Sequence, residues 1–193
     1  MTVTRPNGII STFKSQLAGG GARPNLFQVE VTSAAVKGAA NWDADKFQFL
    51  CKAAALPGHN IASIDVPFRG RIFKVAGDRT IDTWTVTVIN DEDFQYRTGF
   101  EAWMDRMAQL TNNEGAVDPE GYMSTAKVQQ LGRGSSAGSK DSDGASTEQA
   151  LLKEYEFENI FPTNISAIDL SYDSGDTIEE FTVEFAVNNI KLL

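Results

Sequence analysis

The stretch Val66-Pro67-Phe68-Arg69-Gly70-Arg71-Ile72-Phe73-Lys74-Val75-Ala76-Gly77-Asp78-Arg79-Thr80-Ile81-Asp82-Thr83-Trp84-Thr85-Val86-Thr87-Val88-Ile89-Asn90 decides how this chain is read. Two runs rich in β-branched and aromatic residues flank Gly77-Asp78, a pair that tolerates the dihedrals of a tight turn. The stretch therefore predicts a β-hairpin turning at Gly77. In the second arm Trp84, Val86 and Val88 share one face and Thr83, Thr85 and Thr87 the other, the period of a strand with one buried side. The first arm carries Arg69, Arg71 and Lys74, opposite in sign to most of an acidic chain, so the hairpin is a candidate for meeting a neighbour.

Downstream, Asn90-Asp91-Glu92-Asp93 reads as a helix start, because acids cap free amides and suit the positive end of the helix dipole. Phe94 to Leu110 is the expected helix. Its stripe of Tyr96, Phe100, Trp103, Met104, Met107 and Leu110 is taken as packing on a sheet rather than a cofactor pocket. Tyr122 to Leu131 predicts a strand, and the Gly/Ser/Asp-rich segment near 132–148 predicts a flexible insertion, having no large apolar residue to repay ordering. Leu151 to Phe157 alternates Tyr155 and Phe157 with Glu154, Glu156 and Glu158. After Pro162, Ile168, Leu170 and Tyr172 form an expected strand. Phe181, Val183, Phe185 and Val187 then oppose Glu180, Thr182 and Glu184 in a last strand that closes a second hairpin.

Upstream, residues 1–21 form an arm whose Ile9, Ile10, Phe13 and Leu17 lie at helix-like spacing, flexible unless it docks on a partner. Residues 22–193 are expected to be one domain. Leu26 to Val31 is the first strand, and Phe47, Phe49 and Cys51 suggest a second, broken at Leu56-Pro57-Gly58-His59. About eight strands and one helix make a mostly β fold, an antiparallel sandwich or barrel with one flanking α-helix.

Composition bounds function. The 193 residues suffice for one buried core, with 41% hydrophobic and 22% charged residues. No apolar run is long enough for a membrane span, and the start has no secretory apolar core, so a soluble protein that stays where it is made is expected. The lone Cys51 excludes an internal disulfide. A formal net charge of −9 argues against gripping nucleic acid by its phosphates.

Catalytic and cofactor chemistry finds no footing, and no enzyme, cofactor or metal site is expected. His59, the single histidine, has only Cys51 as a nucleophilic companion, across a proline turn. The glutamates at 154, 156 and 158 read as a solvated strand face rather than a glycosidase pair. Asp141-Ser142-Asp143-Gly144 begins like a calcium loop, yet Ala145 and Leu152 stand at ligand positions. Gly132, Gly134 and Gly138 lack the Gly-Lys-Ser/Thr of a phosphate loop.

Four strings in order carry a resemblance: Ala22-Arg23-Pro24-Asn25-Leu26-Phe27-Gln28-Val29-Glu30; Cys51-Lys52-Ala53 before Leu56-Pro57; Val75-Ala76-Gly77-Asp78-Arg79-Thr80 followed by Trp84-Thr85-Val86-Thr87-Val88; and Phe161-Pro162-Thr163-Asn164. Together they resemble the tail tube protein family of T-even-like contractile bacteriophages over about residues 22–187. The resemblance implies a structural virion protein, assembled in the host cytoplasm, whose hexameric rings stack into an inner tube. The sheath lies outside, the baseplate and tail terminator at the ends, and DNA passes down the bore without specific binding. Alternatives are the inner tube of a type VI secretion system or related particle, or a monomeric β-sandwich binding module using exposed aromatics such as Trp42.

Contacts between copies are expected from the arm (Ile9, Phe13), from a loop at 52–65 (Leu56, Ile61, Ile64), and from the basic residues of the hairpin (Arg69, Arg71, Lys74, Arg79). Some of Glu154, Glu156, Glu158, Glu180 and Glu184 are expected to line an acidic bore, since a basic lining would hold phosphates.

Overall fold

The computed structural model describes residues 10, 13–14, 17, 21–32, 42–112, 114–135, 149–173 and 175–193. Ile9 and the greater part of the expected insertion, 136–148, lie outside them. Element order is β1 (Phe27–Val31), α1 (Ala44–Leu50), β2 (Cys51–Ala54), β3 (His59–Phe68), β4 (Arg71–Ile81), β5 (Trp84–Ile89), α2 (Gln95–Met107), a 3-10 turn (Pro119–Gly121), β6 (Ser124–Ser135), β7 (Gln149–Ile165), β8 (Glu180–Ala186) and β9 (Asn189–Leu192). Seven strands make one sheet in the order β1-β6-β7-β8-β5-β2, with β9 also on β7; β3 and β4 make a separate two-stranded sheet. The mostly β, antiparallel expectation is borne out, with two α-helices in this element order where one was expected.

The chain forms two compact units, Met1–Gln28 with Gln129–Glu154, and Val29–Val128 with Tyr155–Leu193. In the smaller, the Gln130 side-chain amide donates to the carbonyls of Arg23 and Leu26 at 2.7 and 2.6 Å, and Leu131 N–H to Leu26 at 2.9 Å. Here β6 runs on to Ser135, past the Leu131 at which the sequence reading ended it. Gly132 lies close against β7 in that continuation, where a Cβ would stand 3.2 Å from Leu152 Cδ2.

The core of the larger unit grows from β5 and β8. Trp84, Val86 and Val88 stand opposite Phe185, Val183 and Phe181, and all six are buried. Strand alternation sends them to one side, where α2 covers them: Phe100 lies 6.2 Å from Phe181 and 5.9 Å from Phe185, ring centre to centre, and Trp103 6.1 Å from Phe185. Buried aromatics of this size are each worth about 1.5–3 kcal/mol of transfer free energy. Leu110, counted in the helical stripe, lies beyond the end of α2 and is exposed.

Five further expectations are corrected. The turn is not at Gly77: β4 runs through it, the chain reverses at Arg69-Gly70, and β5 pairs with β2 and β8 instead of β4. Phe47 and Phe49 are helical, because Asp43 accepts from the amides of Asp45 and Lys46 and starts α1; Phe47 is then buried and Phe49 is 84% exposed. The acids at 91–93 do not cap α2, whose first flanking residue, Phe94, has φ 51° and no side-chain cap; Asp91 instead holds Lys46. Ile168, Leu170 and Tyr172 lie in a loop, and β7 continues through Pro162. The last strands make no hairpin of their own, since β8 pairs with β5 and β7.

Candidate assembly surface

Residues 52–65, read as a loop, belong largely to β2 and β3, and β3 with β4 forms a ribbon of 10 and 11 residues. At about 3.3 Å per residue it is roughly 33 Å long. Its tip is a two-residue loop with φ 45° at Arg69 and 80° at Gly70, the double positive φ that matches the twist of a hairpin. The Arg69 guanidinium lies 5.3 Å from the centre of the Phe68 ring. At its foot, Asp82 fastens the ribbon: its N–H donates to Gly58 O at 3.0 Å, and its Oδ1 accepts from Asn60 Nδ2 at 3.0 Å.

Cross-strand partners in an antiparallel pair share a face. Ile64 faces Val75, Val66 faces Phe73 and Phe68 faces Arg71, making one side apolar. The other side carries Ser63 with Ala76, Asp65 with Lys74 (2.9 Å) and Pro67 with Ile72. Ile61, opposite Arg79, falls on this second side, so Ile61 and Ile64 point to opposite faces. Phe68 and Phe73 are 66% and 67% exposed. Two strands alone are marginal in water, and an apolar ribbon face of this kind calls for a partner.

The remaining contact candidates are dispersed. Leu56 is exposed just before β3; Ile10 and Phe13 are exposed in the smaller unit. His59 opens β3, beside Arg79, Asn188 and Asn189 in a cavity of about 220 Å³. Cys51 is buried, and burial pushes its thiol up to about 12. Trp42 is no exposed platform: its indole packs 5.2 Å from Phe47 and 5.1 Å from Tyr96, and its N–H donates to Val31 O.

Of the bore candidates, Glu180 and Glu184 lie on the face of β8 turned away from the aromatic core, beside Ile89 and Thr85. Lys52 holds Glu180 at 2.5 Å. Glu156 and Glu158 flank buried Phe157 on β7, opposite Lys191 and Asn189 of β9. Hydrogen bonds from Lys191 and then Asn189 hold the Glu158 carboxyl below its ordinary range, and the same pairing raises Lys191. Glu154 belongs to the smaller unit, where its carboxylate accepts from Gln129. The described residues hold no cluster of three metal-ligating side chains, and no helix among them is long and apolar enough to cross a membrane.

The described residues thus form an antiparallel β fold with a long two-stranded ribbon set apart from the main sheet. The family model described as phage tail tube protein matches residues 22–190, and the chain belongs to that family. It is 36% identical over 167 residues to the tail tube protein gp19 of Enterobacteria phage T4, and 35% identical to that of phage T6, covering 86% of this chain and 89% of each relative. Among solved structures, the sheath–tube complex of an extracellular contractile injection system superposes with a TM-score of 0.55 at 14% identity, covering 93% of this chain and 96% of that one. A chain of the anti-feeding prophage baseplate gives 0.58 at 9% identity, over 89% and 95%. The protein is thus a structural component of a contractile phage virion, in a family that is not one of enzymes.

Proposed function

We propose that this chain forms hexameric rings that stack into the inner tube of the tail, the conduit for the genome at ejection. The observation that carries this reading is the β3–β4 ribbon. It projects an apolar face that no described residue covers, and an uncovered apolar face of this kind marks a site of association. The curated relatives are tail tube proteins, and the fold neighbours come from sheath–tube, tube-terminator and baseplate assemblies of contractile particles. On this chain those become the expected partners: sheath outside, baseplate and terminator at the ends.

Passage of DNA fits an acidic or neutral wall. Six copies at −9 each, six times −9, bring −54 to a ring, and a surface of that sign does not hold phosphates. The β8 face with Glu184 and Glu180 is the part of the larger unit assigned to the bore. Assembly takes place in the host cytoplasm, and the exposed Ile10 and Phe13 add to the contacts between copies. Electron microscopy of the purified protein across a concentration series tests the reading. Six-fold rings or stacked tubes are expected, and monomers at every concentration would overturn it.

A further inference from the structure

Two apolar patches of the larger unit lack cover among the described residues, and the charges beside them are opposite in sign. One is the ribbon face of Ile64, Val66, Phe68, Phe73 and Val75, with Arg69 and Arg71 at the tip. The other is a groove of about 540 Å³ in the loop 166–179 and the start of β8, lined by Ile168, Leu170, Tyr172 and Ile178 together with Asp169. Leu170 and Tyr172 are fully or nearly fully exposed.

The charges not already engaged divide the same way. In the ribbon, Lys74 is taken by Asp65, whereas Arg69 in the tip loop and Arg71 opposite Phe68 have no ion-pair partner among the described residues. Of the acids lining the groove, Glu180 is taken by Lys52 and Glu179 accepts from Asn90 at 3.0 Å, whereas Asp169 has no such partner among the described residues, nor have Asp173 and Asp176 in the stretch that links Tyr172 to Thr177. Unpaired cations rim one apolar patch and unpaired anions the other, which favours their meeting and fixes its register. Ribbon against ribbon fits worse. Tip against tip sets Arg69 and Arg71 against their own copies.

We propose that the ribbon of one copy seats its apolar face in the 166–180 groove of a second copy, with Arg69 and Arg71 meeting Asp169 and Asp173. This rests on the tube reading and names the surfaces that join the copies. Two different patches let the contact run head to tail from copy to copy, as a ring or a stack requires.

Charge exchange in the full-length protein tests the contact. Arg69→Glu with Arg71→Glu, and separately Asp169→Arg with Asp173→Arg, change exposed residues, so the melting temperature of the unassembled subunit is expected to stay within a few degrees. Each pair is expected to raise the concentration needed for rings or tubes at least about tenfold, and the variant carrying all four changes to return close to wild type. Pair variants that assemble like wild type overturn the contact, as does a four-fold variant no better than the pairs. A defect in the ribbon pair alone gives the ribbon another occupant and overturns it too. Wild-type protein that never assembles overturns the tube reading itself, and this contact with it.

Discussion

Gly77 and Ala62 meet at a bulge in the ribbon: a Cβ on Gly77 would lie 3.0 Å from the Ala62 carbonyl oxygen and 3.2 Å from Ile64 Cγ1. The register steps there from Ile61 opposite Arg79 to Ser63 opposite Ala76, so two residues of β4, Gly77 and Asp78, stand against one of β3. Gly77→Val is therefore expected to push the strands apart at a cost of about 1–3 kcal/mol, confined to the ribbon. Hydrogen exchange checks this: amides of 59–81 should lose protection roughly tenfold or more while β5 and β8 keep theirs. Unchanged ribbon protection would refute it.

Phe100 joins α2 to β8. Phe100→Ala should cost about 3–5 kcal/mol and lower the melting temperature by roughly 10 °C for a domain of this size. Phe49→Ala, two residues from buried Phe47 but 84% exposed, should shift stability by no more than about 0.5 kcal/mol. Equal losses from the two would contradict the helical placement of Phe49.

The Glu158–Lys191 pair has a definite pH signature. Glu158 is lowered by folding, so its contribution is present above its unfolded value of 4.5 and is lost as pH falls through the lower folded value. Lys191 is raised, so its contribution is present below 10.5 and is lost as pH rises through the higher folded value. Lys191→Ala should move the Glu158 titration, followed by carboxyl NMR, upward towards the ordinary carboxylate range. A Glu158 curve indifferent to that change would break the assignment.

Cys51, pushed up to about 12 by burial, should resist a disulfide-exchange reagent at pH 8 in the folded protein and react at once in denaturant, since the thiolate is the reactive form. Fast reaction of the native thiol would place it elsewhere.

If the β8 face lines the bore, Glu184→Lys places a cation along the path of the genome in every subunit, where phosphates linger. Virions carrying it should assemble tubes of normal length and eject DNA more slowly, more so at low ionic strength. Ejection at the wild-type rate would remove Glu184 from the bore.

What the sequence made legible was burial with a regular period. Trp84, Val86 and Val88, like Phe181, Val183 and Phe185, announce their strands because one side of each is wholly enclosed. Misreadings arose where one residue type serves two ends. Glycine marks turns and bulges alike, so Gly77 reads as the tip although the chain reverses at Arg69-Gly70, itself a short Gly-containing step between β-rich runs. Phe47 and Phe49 alternate by coincidence within one helical turn, and Asp43, able to cap α1, was the available signal. Ile168, Leu170 and Tyr172 alternate as well, yet no neighbouring strand pairs with them. The contact residues were partly legible, because basic and apolar side chains crowd one hairpin; which face each takes depends on a register that only the fold sets.

The roughness of the ribbon also governs how copies can meet. Among the described residues β3 and β4 pair with each other alone, leaving two outer edges of backbone donors and acceptors, the template on which strands aggregate. Pro67 removes a donor from one edge, the bulge at Gly77 twists the other, and Asp65, Arg71, Lys74 and Arg79 put charge wherever a flat stack would need bare backbone. Edge-to-edge stacking of ribbons is thereby disfavoured, and association between copies is expected to run through side-chain faces instead.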